Sequence, residues 1–316
     1  MHPFVANGIL PAGLARVAAV SYMWRTSRDR GRPSNSKGLP MTGQPTVTLN
    51  DGAVMPQLGL GVWQTPPDET ANAVQAAVAA GYRLVDTAAI YRNESGVGDG
   101  LRASGEAGAG VFVTTKLWND NQGYDEALEA FDESLGQLGR ERIDLYLIHW
   151  PSPRRGRYVD SWRALARLKA EGRVGSIGVS NFLPEHLERI IGETGVTPAV
   201  NQVELHPRFQ QRTLREFHAR HGIATESWSP LGQGQLLSHP AITDVAAKHG
   251  KSAAQVIIRW HLDNGLVVIP KSVTPSRIRD NIAVFDFRLD ADDLAKLANL
   301  DDAQGRIGPD PATAAF

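Results

Sequence analysis

The chain has 316 residues, 42% of them hydrophobic and 21% charged, with a formal net charge of −1. That balance belongs to a water-soluble globular protein and leaves no basic surface for nucleic acid. There is no cysteine, so disulfides, thiolate nucleophiles and cysteine-ligated metals are excluded. No apolar run approaches the roughly 20 residues that a membrane span requires.

Residues 1–44 show no strand–helix rhythm and end in a Gly/Pro/Ser/Arg-rich stretch, "RTSRDRGRPSNSKGLP", so a disordered extension is expected there. A signal peptide is not expected, because Pro3 and Pro11 break up the apolar residues before the first basic residue, Arg16. The folded domain is expected over 45–316, with Met41 as the expected initiator. From Thr46 the chain reads as a hairpin about Asn50-Asp51-Gly52. Short apolar runs then recur in order: "QLGLG", "RLVD", "VFVTTK", "IDLYLIH", "GSIGVS", "AVNQVE", "IATESW" and "LVVIP". Each is followed by a helical pattern, several of which end in the glycine expected just past a helix (Gly81, Gly139, Gly222). Eight β/α units predict an α/β fold, a (β/α)8 TIM barrel with an N-terminal β-hairpin closing the bottom. The competing open doubly wound sheet would advertise G-x-G-x-x-G after a strand. "GLGVWQ" fails that pattern, and "GVGDG" lies inside a helical pattern.

In barrel enzymes the active site lies at the C-terminal ends of the strands. Those positions here carry Asp86, Lys116, His149, Ser180-Asn181, Gln202, Trp228-Ser229 and Lys271-Ser272. Singly, each has a bland reading as a cap, a solvated lysine or a packed ring. Together they ring one mouth. The stretch "DTAAIYRNESGVG" adds Tyr91 five residues beyond Asp86. An ammonium at Lys116, held by Asp86, is expected to lower the Tyr91 pKa from its usual value near 10. His149 is expected to orient a carbonyl oxygen beside Tyr91. Such a site protonates an oxygen while a hydride adds to its carbon, and the hydride must come from a cofactor.

These blocks resemble the aldo-keto reductase family, and the likeness runs from Thr46 to Ala303. "GYRLVDTAAIYRNE" is similar to the family's first signature, "VFVTTKLW" to its lysine strand and "DLYLIHWP" to its histidine strand. "VGSIGVSNF", "NQVELHP" and "VVIPKSVTPSRIRDN" also match. The resemblance implies that Tyr91 is the general acid, supported by Asp86, Lys116 and His149. It implies NADPH bound extended across the barrel without a Rossmann fingerprint, and no metal. Ser180, Asn181 and Gln202 match positions that hold the nicotinamide carboxamide, and Trp228 the position that stacks on the ring. Ser229, Leu231, Val273 and Asn281 complete the implied cofactor set. Trp at 228 resembles the bacterial 2,5-diketo-D-gluconate reductase branch. Lys271, Ser272 and Arg277, beside a helix opening at Pro275, make an anion site suited to a ribose 2′-phosphate, which favours NADPH over NADH.

Trp63, Trp118, Trp150 and His149 are expected to bound the substrate. The short loop "SPRRGRYVD" and short tail "DDAQGRIGPDPATAAF" predict a shallow, open pocket for small dicarbonyls or keto-sugar acids, with Arg154, Arg155 or Arg157 near the mouth. The Asn93 sequon is discounted, and His218 and His221 are expected on the surface. A monomeric, cytoplasmic reductase is expected. The alternatives are an NADPH-binding regulatory barrel with little turnover and a phosphate-binding barrel lyase or isomerase, which leaves Trp228 and Ser180-Asn181-Gln202 without a purpose.

Overall fold

The computed structural model describes residues 44–314. The extension expected over 1–44, and with it a start at Met41, lies outside the described residues apart from Gln44. The hairpin forms where it is expected: β1 (Thr46–Thr48) pairs antiparallel with β2 (Val54–Pro56), with Val47 opposite Met55. The Asn50 side chain donates to the Pro198 carbonyl at 2.9 Å, and Leu49 and Met55 join the apolar cluster inside the barrel. The hairpin thereby plugs the N-terminal end of the strands, the end away from the site described below.

Eight parallel strands follow in chain order, each at an expected apolar run. They are β3 (Leu60–Gly61), β4 (Leu84–Asp86), β5 (Phe112–Leu117), β6 (Ile143–Ile148), β7 (Val174–Ser180), β8 (Val200–Glu204), β9 (Ala224–Trp228) and β10 (Val267–Val268). Neighbours in sequence are neighbours in the sheet throughout. The ring closes through parallel bridges Leu58↔Val268 and Gly61↔Lys271, with the Gly59 amide donating to the Val268 carbonyl at 2.9 Å. Sequential parallel order with a covering helix after each strand leaves no free sheet edge, and apolar residues fill both faces.

The covering helices start and stop on local signals. Pro67, Pro184, Pro240 and Pro275 open α1 (Pro67–Ala80), α6 (Pro184–Thr194), α8 (Pro240–His249) and α10 (Pro275–Ile282), where a missing N–H costs nothing. Left-handed glycines end α1, α4 (Asp125–Leu138) and α7 (Arg212–His221) at Gly81, Gly139 and Gly222, as the sequence predicts. The remaining helices are α2 (Glu94–Ala103), α3 (Gly105–Ala109), α5 (Tyr158–Ala170), α9 (Ala253–Asp263) and α11 (Ala291–Ala298). "GVGDG" does fall inside a helix, α2. One apolar layer lies between helices and strands, and a smaller one, around Leu84, Leu145, Leu147, Val200 and Val267, fills the barrel. None of the described helices is long and apolar enough to cross a membrane.

His218 departs from the expectation of a surface residue. It is 1% exposed, with Nε2 2.9 Å from the Asn201 amide and Nδ1 2.8 Å from the Thr225 hydroxyl. Burial pushes its pKa down to about 3, so it is a neutral core histidine. The 3.6-residue period that puts Leu214 and Phe217 inward carries His218 with them.

The seam between β3 and β10 is closely packed, since a Cβ on Gly61 would stand 2.8 Å from the Ile269 carbonyl oxygen. Gly61→Ala is expected to cost about 1–3 kcal/mol through this overpacking. A urea midpoint unchanged from wild type would show that the seam has slack.

Candidate active site

The C-terminal ends of the strands open into one cleft of about 600 Å³, lined by Trp63, Asp86, Tyr91, Trp118, His149, Trp150, Ser180, Asn181, Gln202, Trp228, Ser229 and Lys271 among others. Strand register is what assembles them. Asp86 lies in register with Gly61 and Thr114, Ser180 with Gln202, and Trp228 with Glu204, so residues distant in sequence arrive at one level.

At the floor, Lys116 Nζ donates to Asp86 Oδ1 at 2.6 Å and to the Thr87 carbonyl at 2.9 Å, and both side chains are buried. The second Asp86 oxygen accepts from the Gln202 amide at 2.8 Å. Burial pushes Asp86 above the usual carboxylate range, only partly offset by Lys116 and Gln202. Burial works against the Lys116 charge as well, but Asp86 and Tyr91 outweigh it, and its pKa is raised. A desolvated ion pair of this kind holds because each charge has its partner within hydrogen-bond reach.

Tyr91 ends a short 3-10 turn, Ala89–Tyr91, after which Arg92 takes a left-handed conformation (φ 55°). Asn93 pins the turn from beneath. Its side chain accepts from the Thr87 hydroxyl at 2.8 Å and donates to the Val62 carbonyl at 2.9 Å. It is 0% exposed, which removes the sequon from consideration as a glycosylation site. The turn brings the Tyr91 ring within 5.3 Å of Lys116 Nζ and edge-on to His149, with ring centroids 5.6 Å apart. Lys116 does pull the Tyr91 pKa down, as expected, but the net shift is upward. Burial pushes the hydroxyl above its ordinary value, and the pull of Lys116 recovers only part of that rise. The phenol therefore keeps its proton through the neutral range, and Lys116 reduces the cost of losing it. His149 is held well below the ordinary histidine range by burial and then by Lys116, and it is neutral. Its Nδ1 is buried with no hydrogen-bond partner among the described residues, and the ring lines the cleft.

One wall is a hydrogen-bonded set. Trp228 Nε1 donates to Asn181 Oδ1 at 2.8 Å, Asn181 Nδ2 donates to the His149 carbonyl at 2.9 Å and to Ser180 Oγ at 3.0 Å, and Ser180 Oγ donates to the Gln202 carbonyl at 2.8 Å. Asn181 (φ 64°) and Ser229 (φ 48°) are left-handed, as are Gln64, Ser152 and Gln233 on other loops that follow strands. Backbone strain therefore gathers on this face of the barrel. Lys271 reaches the cleft with its side chain exposed and without an ion-pair partner among the described residues. Ser272, Val273, Arg277 and Asn281 follow it through the turn into α10, beyond the cleft floor. Leu231 does not line the cleft, because it packs against the outer apolar layer.

Two substrate expectations change. Arg155 pairs with Asp120 at 2.6 Å and Arg157 with Glu126 at 2.5 Å, and neither they nor Arg154 line the cleft. The arginines are expected near the mouth, but the β6–α5 loop turns Arg155 toward Asp120 on the β5–α4 connection and Arg157 toward Glu126 in the first turn of α4. The tail, although short, reaches the cleft instead of standing clear of it: Ile307, Gly308 and Pro309 form part of its wall. Glu204 holds them there, accepting from the Ile307 amide at 2.5 Å and the Gly308 amide at 2.7 Å, with His206 Nε2 3.1 Å away. Burial opposes the Glu204 charge, but His206 and the two amides outweigh it and keep the carboxyl below its ordinary pKa. Gly308 fits because a Cβ there would stand 2.5 Å from the Trp228 ring. Sequence reasoning missed Glu204, which holds the tail, as well as Ile90, Gln64 and Gln233, which line the cleft. The signal for Glu204 was its period-2 spacing from Gln202 in "NQVE", which puts both on the barrel's inner face.

An eight-stranded barrel with buried Asp86–Lys116, Tyr91 and His149 at one mouth, and an apolar Trp-lined cleft above them, defines an α/β-barrel oxidoreductase site. A profile of the Aldo/keto reductase family matches residues 55–302, and the chain belongs to that family. An aldo-keto reductase of Mycobacterium sp. (strain JLS) is 58% identical over 274 residues, 87% of this chain and 99% of that protein. The methylglyoxal reductase DkgA of Escherichia coli (strain K12) is 53% identical over 273 residues, 86% of this chain and 98% of that protein. Among solved structures, a point mutant of Gox0644 in complex with NADPH superposes with a TM-score of 0.84 at 58% identity, covering 87% of this chain and all (100%) of that one.

Glu204→Ala is expected to leave two tail amides unpaired, at a cost of about 1–3 kcal/mol, and to speed hydrogen exchange at Ile307 and Gly308. Exchange at wild-type rates would mean that the tail is held by other contacts.

Proposed function

We propose that the chain is an NADPH-dependent reductase of small aldehydes and ketones, with dicarbonyls such as methylglyoxal as preferred substrates. The observation that carries this reading is the convergence of a protonated, half-buried Tyr91 with Lys116–Asp86 and neutral His149 on the floor of an apolar cleft. Tyr91 gives its proton to the carbonyl oxygen, and Lys116 bears part of the phenolate charge that remains. His149 orients that oxygen. Asp86 keeps Lys116 charged and in place, and Trp63, Trp118 and Trp150 exclude water.

NADPH, when bound, supplies the hydride. The residues present fit it. Ser180, Asn181 and Gln202 offer amide and hydroxyl groups beside the Trp228 ring, and Lys271, Ser272 and Arg277 surround the N-terminal turn of α10, where a 2′-phosphate would find positive charge. The solved NADPH complex of a relative at 58% identity, and relatives named methylglyoxal reductase, support the same reading. With Arg155 and Arg157 paired to acids, no arginine of the β6–α5 loop lines the cleft to favour a carboxylate-bearing sugar over a neutral dicarbonyl.

Two measurements test this. Following NADPH absorbance with methylglyoxal, Tyr91→Phe is expected to lose at least about 100-fold in kcat while binding NADPH as tightly as wild type. Tight NADPH binding with no turnover of any carbonyl by the wild type would instead favour a regulatory barrel. Lys271→Ala combined with Arg277→Ala is expected to weaken NADPH binding roughly tenfold or more and leave NADH unaffected; equal losses for both nucleotides would remove the phosphate site.

A further inference from the structure

Inside the barrel, beside the Asp86–Lys116 pair, lies a second carboxyl group that the chemistry above does not use. Glu226 is the middle residue of β9 and stands two residues before Trp228, on the same inward face. It is 0% exposed, and neither carboxyl oxygen has a hydrogen-bond partner among the described residues. In register on one side is Gln202 of β8, whose amide nitrogen is committed to Asp86. On the other is Val267 of β10, which has no polar group to offer.

The charged and titratable groups that face Glu226 are Asp86 from β4, Lys116 from β5 and Tyr91 from the turn after β4. Burial, reinforced by the Asp86 charge, pushes Glu226 up to about 8, against the weaker pull of Gln202 and Lys116. In the neutral range the floor of the site therefore holds one carboxylate and one ammonium. Once Glu226 ionises, two carboxylates share the single ammonium, and the surplus negative charge opposes a phenolate at Tyr91.

Resting on the reductase reading of Tyr91, we propose that Glu226 is a positioning residue that, by keeping its proton, reserves Lys116 for the Tyr91 phenolate and so sets the upper pH limit of carbonyl reduction. In that step the Tyr91 O–H bond breaks and its proton goes to the carbonyl oxygen, while the carbonyl carbon accepts the hydride and is reduced to the alcohol. The phenolate left facing Lys116 regains a proton from solvent. Glu226 touches neither substrate nor reacting atoms, and it acts through the charge that Lys116 has to share.

The sign is fixed by the direction of the shift. Below the ordinary glutamate range the folded and unfolded chains both carry a protonated Glu226. As pH rises from 4.5 toward 8 the unfolded chain ionises first, so stability is lost across that window and is level above it. Glutamine has the same shape and no charge, and escapes this loss.

The test compares wild type and Glu226→Gln as full-length chains, in two readouts. The first is kcat/KM for methylglyoxal at saturating NADPH from pH 6 to 10. Wild type is expected to fall on an alkaline limb near pH 8. Glu226→Gln is expected to move that limb up by about one unit or more, since Tyr91 and Lys116 are themselves displaced above their ordinary values. The second is Tm across pH 5 to 9 with and without NADPH, in which the advantage of Glu226→Gln over wild type grows with pH. Glu226→Leu, which carries no charge either, repeats the comparison should the amide fail to fold. Superimposed pH profiles, or a constant Tm difference, overturn the proposal while leaving the reductase reading intact. Absence of wild-type turnover on any carbonyl overturns that reading and this proposal with it.

Discussion

A lysine cannot be carried into the middle of a barrel without its counter-charge, and the 2.6 Å contact between Lys116 and Asp86 is the constraint on which the site is arranged. It ties the C-terminal ends of β4 and β5, recruits the Gln202 amide from β8 across the interior, and takes a backbone carbonyl, that of Thr87, as a further acceptor. Tyr91 and His149 sit within the field of that pair. The same desolvation that strains the pair keeps the phenol protonated and the imidazole neutral. A site built in this way needs no group whose free pKa matches neutral pH, because its protonation states follow from burial and one fixed ammonium.

The remaining walls are held by commitments among polar groups rather than by packing alone. Trp228 is oriented by Asn181, Asn181 by its left-handed backbone and its bonds to His149 and Ser180, and Ser180 by the Gln202 carbonyl. On the opposite side of Trp228, a buried carboxylate at Glu204 takes the tail's two amides and sets Gly308 against the indole ring. Both devices place strained or buried polar groups where the cleft needs a fixed shape, a cost that an apolar core would not carry.

The fold was legible because its signals are local. Period-2 apolar runs, prolines at helix starts and glycines at helix ends mark each β/α unit, and eight such units in series admit few closed arrangements. The tetrad positions were legible for a related reason: strand ends in a parallel barrel share one face, so Asp86, Lys116 and His149 had to meet. His218 misled because a helix position three residues from His221 reads as polar surface until the inward stripe of Leu214 and Phe217 is followed around the helix. The arginines of "PRRGR" misled because a loop's direction depends on which acids it meets, and Asp120 and Glu126 lie on a different loop and helix, 35 and 31 residues away in sequence from Arg155 and Arg157.

The sequence by itself determined the architecture, the family and the residues that ring the mouth, since these rest on spacing and residue type. Only the tertiary structure decided what those residues do electrostatically. Whether Lys116 lowers the Tyr91 pKa or merely tempers its rise is a contest between desolvation and a charge a few ångströms away, and neither quantity exists in a linear chain. The same holds for Glu204 and Glu226, two carboxyls on neighbouring strands. One is held ionised by the tail's amides and His206. The other is driven toward its neutral form by burial and by the Asp86 charge, with the Gln202 amide nitrogen already committed to Asp86.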